Sequence, residues 1–588
     1  MKLEKIHIKG FRNFDDVEVY LQEKTLIIGA NDVGKSNLLY AFRLLFDKTL
    51  SENDLELNDS DFNVYSNATS IEISVYLCDV FEDCLISMFA GALKDGITII
   101  RFIKEKKNSY RLFWGYSEQT LIEIPSRLYL KRLNMQYLDA NRNLLFFMNK
   151  ERSKILSFSK DNRDAAAIDK DACLIEEIQS GINDINKKVS SLSYVKSSLN
   201  TVNEELSKLS IHNEDQEVKF VSGDSNANNL LNNLVLSYST DIGPLKIGGD
   251  GRNNQIFLAT WLAKQKKQNN IDHVTFYAIE EPEAHLHPHQ QRKLSEYVQN
   301  YLDSTVFITT HSPQIVCRFD PANLVRLYSR NKNSYAACGG SSPIIKKLFT
   351  DFGYRLNTIS SEIFFSDGVF LVEGVSEVLF YTAVSKALGL DLERYNISIL
   401  SVEGVGFKPY IKICLALNIP WVLRTDNDIF EKSNDSQKIY YYSGLTRALG
   451  IIYELNNEVN ELSNYWEKNK QYTEWLNTEE PPIKAVEINK NIRSKLEYYG
   501  IFLSNIDLEN DLVTTPLIVA LEKHYKKKGK DLVKKMQSKK AENMLDFINC
   551  NNRELKVLEN DPFLAPVREL FNKVSERIRP NVDNRTNR

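Results

Sequence analysis

The stretch TLIIGANDVGKSNLLYAF, residues 25–42, decides the fold of the first half of this chain. Residues 29–36 read GANDVGKS, which matches the pattern GxxxxGKS between an apolar strand and a helix, the context of a phosphate-binding loop. The glycines let backbone N–H groups surround phosphates, and the start of the helix adds the positive end of its dipole. We therefore predict an ATP site in which Lys35 reaches the outer phosphates and Ser36 holds Mg²⁺. The candidate nucleotide-binding residues of this loop are Gly29, Asn31, Gly34, Lys35, Ser36 and Asn37.

Two further apolar strands, far downstream, end in polar side chains. The first is TFYAIEEPE, residues 275–283, and the second is FITTHSP, residues 307–313. The carboxyl ends of parallel strands meet at one edge of a sheet, so both should lie beside the phosphate loop. We expect Glu280 to support Mg²⁺ through water, Glu281 to polarise the attacking water and His311 to contact the γ-phosphate.

These three motifs, in this order and separated by a long insertion, resemble ABC-type ATPases of the recombination and SMC-like branch over about residues 1–345. The resemblance implies that LKIGGDGR, residues 245–252, is the signature loop, with Gly249 and Asp250 at the nucleotide of a second head. Gly248 replaces the usual serine and Glu280 the usual aspartate, which weakens the expectation of fast turnover more than that of nucleotide binding. His285, His287 and His289 follow the second motif, as they do in this branch, and we favour a head–head contact over a metal cluster.

Residues 171–210 carry an apolar repeat with helical spacing and polar residues between, with one irregular step between Leu192 and Leu199. Two interpretations are open: an amphipathic hairpin packed on its own domain, or a self-association arm. The repeat consists of Ile178, Ile182, Ile185, Val189, Leu192, Val195, Leu199, Val202, Leu206 and Leu209.

Residues 361–427 alternate between strand and helix patterns, which predicts a parallel sheet. The segments VFLVEG and WVLRTDND place Glu373, Asp426 and Asp428 at the ends of apolar strands. Asp426 and Asp428 are two residues apart, so in extended chain they share one face, with Asn427 opposite. A divalent cation would neutralise carboxylates that converge in this way.

A glutamate–glycine pair after one strand and Asp-x-Asp after a later one resemble the Toprim domain. Together with the ATPase-like head, they resemble the OLD (overcoming lysogenization defect) family of nucleases, and within it the nuclease subunits of Gabija anti-phage systems. The acidic run LSNIDLENDL, residues 503–512, supports this resemblance. It implies phosphodiester hydrolysis in DNA at a Mg²⁺ site, with Mn²⁺ or Ca²⁺ as alternatives, in a homodimer or homotetramer beside a UvrD-like helicase partner. The implied site residues are Glu373, Asp426, Asp428 and Asp507, with Glu377 and Glu509 as further ligands and Lys540, or else Lys539, as the site lysine.

The bulk composition suits a folded protein of several domains. The chain has 588 residues, 43% hydrophobic residues and a net charge of −4, so any DNA-binding surface is local. Nine lysines lie between Lys523 and Lys540, where a solvated helix face and a DNA contact explain them equally well; proximity to the predicted site favours DNA. Seven cysteines without a CxxC pair, and the lack of a signal-peptide core or an apolar span, favour a cytoplasmic protein without membrane contact.

The predicted fold class is α/β: an ABC-type ATPase head with an inserted helical dimerisation arm, then a Toprim domain with a Rossmann-like parallel sheet and a helix-rich C-terminal part. The predicted function is an ATP-binding, Mg²⁺-dependent, nucleotide-regulated DNA endonuclease in anti-phage defence. The alternative is a recombination-mediator-like DNA-binding ATPase, which leaves residues 361–428 without a purpose. The predicted boundaries are 1–160 and 226–345 for the two ATPase halves, 161–225 for the arm, 346–362 for a linker, 363–550 for the Toprim domain, and 551–588 for a C-terminal helix and disordered tail.

Overall fold

A computed structural model describes most of the chain, and it divides into two compact units. Unit 1 comprises residues 1–140, 271–283 and 288–588, and unit 2 comprises 141–270 and 284–287. The residues whose structure is described are 1–139, 156–157, 159–160, 163–209, 226–232, 238–240, 243–245, 272–302, 304–342, 347, 360–404, 406–434, 437–455, 461–476 and 478–578.

The strands are numbered in chain order within these described residues. They are β1 Lys2–Phe11, β2 Phe14–Tyr20, β3 Lys24–Ile28, β4 Ser70–Cys78, β5 Thr98–Glu105, β6 Arg111–Gly115, β7 Ile122–Ile124, β8 Leu133–Leu138, β9 Tyr238–Thr240, β10 Gly243–Leu245, β11 Val274–Glu280, β12 Val306–Thr309, β13 Leu324–Arg330, β14 Asn333–Ala336, β15 Gly368–Val372, β16 Ile397–Ser401, β17 Trp421–Thr425, β18 Ile429–Asn434, β19 Gln437–Tyr442, β20 Glu474–Leu476 and β21 Ile501–Leu503.

The α-helices are numbered in the same way. They are α1 Lys35–Phe46, α2 Glu52–Leu55, α3 Asp83–Met88, α4 Ala165–Ser191, α5 Ser193–Leu209, α6 Ala227–Asn232, α7 Pro288–Tyr301, α8 Pro313–Val316, α9 Val375–Ala387, α10 Phe407–Ala416, α11 Ser443–Leu455, α12 Glu461–Asn469, α13 Ile483–Glu497, α14 Leu508–Leu512, α15 Ile518–Tyr525, α16 Gly529–Ser538, α17 Lys540–Asn551 and α18 Ala565–Ile578.

The N-terminal part of unit 1 is built on two six-stranded sheets. One is antiparallel, in the order β2-β1-β4-β5-β6-β7, and the other has the order β14-β13-β3-β12-β11-β8, with all neighbours parallel except β13 and β14. Strand β1 alternates buried and more exposed residues along most of its length, as a strand with one buried face does. The apolar strand predicted before the phosphate loop and the helix predicted after Gly34 are confirmed as β3 and α1.

The apolar repeat of unit 2 forms two helices, α4 and α5, that meet at Leu192. Leu192 has extended backbone angles, φ −62° and ψ 131°, which ends α4 at the irregular step seen in the sequence. Ile182 and Val195 are buried, whereas Ile185 is 56% exposed and Leu192 43% exposed. The exposed part of the repeat leaves both interpretations, packed hairpin and self-association arm, open.

The second half of unit 1 contains a four-stranded parallel sheet in the order β16-β15-β17-β21. The predicted succession of strand, helix, strand, helix and strand is confirmed as β15, α9, β16, α10 and β17. Strand β21 and the three-stranded antiparallel sheet β18-β19-β20 lie within the predicted Toprim segment and were not predicted as strands. The helices α9 and α14 to α18 share one apolar core with this parallel sheet. The predicted signature loop with Gly249 and Asp250, and the predicted disordered tail from Arg579, lie outside the described residues.

Candidate nucleotide site and Toprim acid cluster

The phosphate-loop sequence forms a tight turn from β3 into α1 that requires its glycines. Gly34 precedes α1 with φ +93°, and a Cβ there would lie 2.3 Å from the Asn13 Nδ2 atom. Gly29 has φ +149°, and a Cβ there would lie 2.5 Å from the Leu327 carbonyl oxygen. Only glycine fits these two close approaches.

Lys35 turns its side chain into this loop and is 6% exposed. Its Nζ atom donates to the carbonyl oxygens of Gly29, at 3.0 Å, and Ala30, at 2.7 Å. Burial lowers the Lys35 pKa to about 8, although Glu281 and other nearby acids act to raise it. The ammonium group is therefore held by neutral carbonyls, in a place where an anionic ligand would stabilise its charge.

The ends of β11 and β12 bring the other predicted ATP-site residues to the same sheet edge. Glu280 pairs with Thr309 across the two strands, and β12 in turn pairs with β3. The Oε1 atom of Glu281 lies 3.4 Å from His311 Nε2. Burial and the charge of Lys35 lower the pKa of His311, so this imidazole favours its neutral form.

Glu283 is a residue of this edge to which the sequence analysis gave no role. Its Oε1 atom accepts from Thr310 Oγ1 and from the backbone N–H of His311, both at 2.7 Å, and thereby holds the turn that carries His311. Burial raises the pKa of Glu283. The sequence EEPE, residues 280–283, contains Glu283. Its hydrogen-bond partners, Thr310 and His311, are set only by the pairing of β11 with β12.

The remaining candidate residues of the phosphate loop are either exposed or hydrogen-bonded. Asn31 and Ser36 are exposed. Asn37 donates to Asn13 Oδ1 and accepts from Arg12 Nη1, both at 2.8 Å, so the β1–β2 turn holds its amide. Neither Arg12 nor Asn13 lies in a recognisable motif, so their contact with the phosphate loop could not be predicted from the sequence.

The parallel sheet of the Toprim region places its acidic residues at one edge. Glu373 follows β15, Asp426 follows β17, and Asp507 lies four residues beyond β21. Glu373 Oε1 accepts from the Asp426 backbone N–H at 3.0 Å and also from the Thr425 hydroxyl and the Arg447 guanidinium. Arg447 lies on α11, 74 residues from Glu373, and was not among the predicted site residues.

The acids at this edge disturb one another electrostatically. Asp426 is 9% exposed, and burial together with the charges of Glu373 and Glu377 raises its pKa to about 8. Burial also raises the pKa of Glu377, and burial and Asp507 raise that of Asp428. Like charges in a desolvated cluster resist ionising together, so this edge favours a cation.

Asp507 begins α14 and is held by several donors. Its carboxylate accepts from the Asn510 backbone N–H at 2.8 Å and from Gln537 Nε2 at 2.7 Å. Burial acts to raise the Asp507 pKa, but these hydrogen bonds and the charge of Lys540 lower it overall. Lys540 Nζ lies 3.6 Å from Asp507 Oδ2 and 3.1 Å from Glu509 Oε2.

Of the two candidate lysines, the structure places Lys540 in the cluster. Lys539 is exposed and pairs with Glu542 at 2.8 Å. The charges of Glu509, Asp426 and Asp507 outweigh burial and raise the pKa of Lys540. Its ammonium is therefore a fixed positive charge at the acid cluster.

The residues present fit a divalent cation only after side-chain movement. In the described part of the chain, no three His, Cys, Asp or Glu side chains already surround one point as metal ligands. However, Glu509 is 1% exposed and its Oε1 has no hydrogen-bond partner, and burial raises its pKa to about 7. A buried, unsatisfied carboxylate close to Asp507 and Lys540 is the donor chemistry that hard cations prefer.

Two family models match parts of this chain. The AAA ATPase domain model matches residues 1–173 and 139–316, more than half of the chain, so this chain belongs to that AAA ATPase family. The model of the "Overcoming lysogenization defect protein-like, TOPRIM domain" matches residues 364–428. The resemblance to OLD proteins that the motifs indicated is thereby confirmed.

Individual relatives match this chain in sequence over most of their length. The "Endonuclease GajA" of Bacillus cereus (strain VD045) is 28% identical over 581 residues, which cover 93% of this chain and 95% of that protein. The "OLD nuclease" of Thermus scotoductus is 23% identical and covers 73% of this chain and 82% of that protein.

A solved structure of an Smc head bound to the C-winged helix domain of ScpA covers 57% of this chain and 97% of its own, at 16% identity and a TM-score of 0.33. In addition, no helix among the described residues has the length and apolarity needed to span a membrane.

Proposed function

We propose that this protein is an ATP-binding, metal-dependent DNA endonuclease whose cutting is regulated by nucleotide. The observation that carries the proposal is the acid cluster at one sheet edge, in which Asp426 has a pKa of about 8 beside the cation Lys540. Perturbed acids of this kind occur at functional sites. The names of the relatives, endonuclease and OLD nuclease, agree with the same chemistry.

The proposed roles follow from charge and position. Glu373, Asp426, Asp428 and Asp507 would hold Mg²⁺, with Mn²⁺ or Ca²⁺ as alternatives, and Glu377 and Glu509 are further ligands. When bound, the cation supplies an activated water and neutralises charge on the phosphate. Lys540 would offset the negative charge that grows on the phosphate during hydrolysis.

Plasmid cutting in Mg²⁺ tests this proposal. Glu373→Ala and Asp426→Ala should each abolish cutting, and a chelator should abolish it in the wild type. Glu554→Ala, which removes an exposed acid, is the matched control and should cut normally. Equal cutting by all variants would instead show a contaminating nuclease and refute the assignment.

The nucleotide site would regulate rather than drive the nuclease, because hydrolysis of a phosphodiester bond does not require ATP. Lys35 and Ser36 would bind the phosphates and Mg²⁺, with Glu280, Glu281 and His311 at the γ-phosphate. If cutting is the same with and without ATP, and in Lys35→Ala, regulation by this site is wrong.

The lysine-rich stretch beside the cluster is the proposed DNA-binding surface. Helix α16 buries Leu532 and Met536 and so turns its lysines to solvent, while Gln537 at its end donates to Asp507. Within the described structure, neither Lys530 nor Lys534 forms an ion pair, and the same holds for Lys523, Lys526, Lys527 and Lys535. Unpaired lysines that lead to the acid cluster suit the phosphates of a duplex.

Salt dependence of DNA binding tests this surface. The triple variant Lys527→Gln, Lys530→Gln, Lys534→Gln should weaken binding and lower the slope of log affinity against log salt by about 2–3, because each phosphate contact contributes roughly 0.9. The control removes three exposed lysines elsewhere in the same half of the chain: Lys468, Lys470 and Lys490. Equal losses in both triple variants would refute a local DNA surface.

Anti-phage defence, a homodimer or homotetramer and a helicase partner remain parts of the proposal. The exposed apolar side chains of α4 and its junction with α5, such as Ile185, support self-association. Measurement of the molecular mass in solution of Ile185→Glu and of wild type tests self-association. An unchanged mass would assign the apolar repeat to packing within its own unit.

A further inference from the structure

The guanidinium of Arg447 lies against Glu373, a proposed metal ligand. Its Nη1 atom donates to Glu373 Oε1 and also to the Thr425 hydroxyl, which itself donates to Glu373. The arginine side chain is 17% exposed and the glutamate 18%, so solvent screens this pair only in part. One of the proposed metal ligands is thus paired with a cation of the chain itself.

Lys540 and Arg447 lie at different acids of the cluster. Lys540 pairs with Asp507 and Glu509, whereas the ion pair of Arg447 is with Glu373. Lys540 leaves Glu509 Oε1 without a hydrogen-bond partner, but Arg447 adds a third donor to Glu373 Oε1. That oxygen is therefore saturated, so a metal ion that binds Glu373 through Oε1 must displace one of these donors.

Of the three donors, Arg447 is the one that can leave without unfolding the site. The Asp426 N–H is fixed by the end of β17, and Thr425 is the last residue of that strand. A long arginine side chain on a neighbouring helix can change rotamer at small energetic cost. An approaching divalent cation also repels the guanidinium, which favours its departure.

We propose that Arg447 is a placeholder cation: it neutralises Glu373 while no metal ion is bound, and it leaves Oε1 when a divalent ion binds Glu373 through that oxygen. This inference rests on the proposed function, since it assigns Glu373 to the metal. It makes Arg447 a positioning residue that opposes metal binding and stabilises the metal-free protein. If Arg447 instead helped Glu373 to bind the metal ion, its removal would weaken metal binding.

Calorimetric titration of the full-length protein with Ca²⁺ tests the proposal without any cleavage readout. Arg447→Gln removes a charge-assisted hydrogen bond from Glu373, so Ca²⁺ should bind roughly tenfold more tightly. The same variant should melt at a lower temperature than wild type in EDTA and recover in saturating Ca²⁺. Arg447→Lys keeps the charge, and its Ca²⁺ affinity should lie between the two.

Arg493→Gln is the matched control, because Arg493 is a partly buried arginine of the same region that donates to Asn505 and the Leu503 carbonyl oxygen. It should not tighten Ca²⁺ binding. Unchanged or weaker binding in Arg447→Gln overturns the placeholder role.

A parallel Ca²⁺ titration of Glu373→Gln distinguishes a failure of the placeholder role of Arg447 from a failure of the proposed function. If wild type binds Ca²⁺ and Glu373→Gln does not, the metal site stands and only Arg447 is in question. If Glu373→Gln binds as wild type does, the metal assignment fails and the placeholder role fails with it.

Discussion

Replacing Asp426 by asparagine should make the metal-free protein more stable while it removes a proposed metal ligand. The folded protein raises the pKa of this carboxyl from 3.8 to about 8, through burial and the charges of Glu373 and Glu377. A raised carboxyl pKa means that the folded state binds more protons than the unfolded state between these two values. Stability is therefore lost as the pH rises from about 4 to 8, and asparagine, which carries no charge, avoids this loss.

The size of the effect follows from the shift. A difference of about four pKa units corresponds to ~5 kcal/mol of unfolding free energy at pH 8. Neighbouring acids can turn away or take up protons, so we expect about 2 kcal/mol to appear in experiment. For a domain of about 150–250 residues, that gain corresponds to roughly 4–8 °C in melting temperature. At pH 4 the two proteins should melt together.

Thermal melting in EDTA between pH 4 and 8 measures this difference. Asp531→Asn removes an exposed acid and is the control, which should follow wild type at every pH. Added Mg²⁺ should raise the melting temperature of wild type more than that of Asp426→Asn. The reasoning is refuted if Asp426→Asn melts below wild type at pH 8, or if the gap between them does not change with pH.

Three further predictions follow from single side chains. Lys35→Ala should weaken binding of a fluorescent ATP analogue by roughly 100-fold, because a charge-assisted contact to phosphate is lost; wild-type affinity would exclude Lys35 from the site. Arg326→Met should lower the unfolding free energy by ~3 kcal/mol in denaturant melts, because this buried guanidinium donates to three carbonyl oxygens, those of Phe364, Ser366 and Leu417; a loss below 1 kcal/mol would contradict this. Lys540→Met should lower the melting temperature more at pH 8 than at pH 5, because its partner Glu509 has a pKa of about 7 and is ionised only at the higher pH; a pH-independent loss would argue against that ion pair.

The strands and helices that carry the motifs could be predicted because each motif follows a short, mostly apolar strand segment. The strand of residues 26–28 and the later strand of residues 369–372 are continuous apolar segments, which is typical of strands buried on both faces. Glu373 follows such a segment directly, and Asp426 follows β17 after Arg424 and Thr425, so their shared edge follows from the parallel pairing of β15 and β17.

Other parts could not be read from the chain because they depend on distant contacts. Strand β21 is three residues long, too short for any periodic signal, and yet it fixes the position of Asp507. Arg447 reaches Glu373 only because α11 packs near the sheet edge, and nothing near residue 447 marks it as part of a site. Lys540 was assigned by resemblance to a family, not from its own sequence context.

Both centres of this protein hold a cation of their own where a ligand is expected. Lys35 binds two carbonyl oxygens of its own loop, and burial lowers its pKa to about 8. Arg447 binds Glu373 within the acid cluster. Each arrangement satisfies buried charge within the fold, so each side chain gives up an internal contact when its ligand binds. The consequences differ: removal of Arg447 should tighten metal binding, whereas removal of Lys35 should weaken nucleotide binding, because the Lys35 ammonium is itself proposed to contact the phosphates.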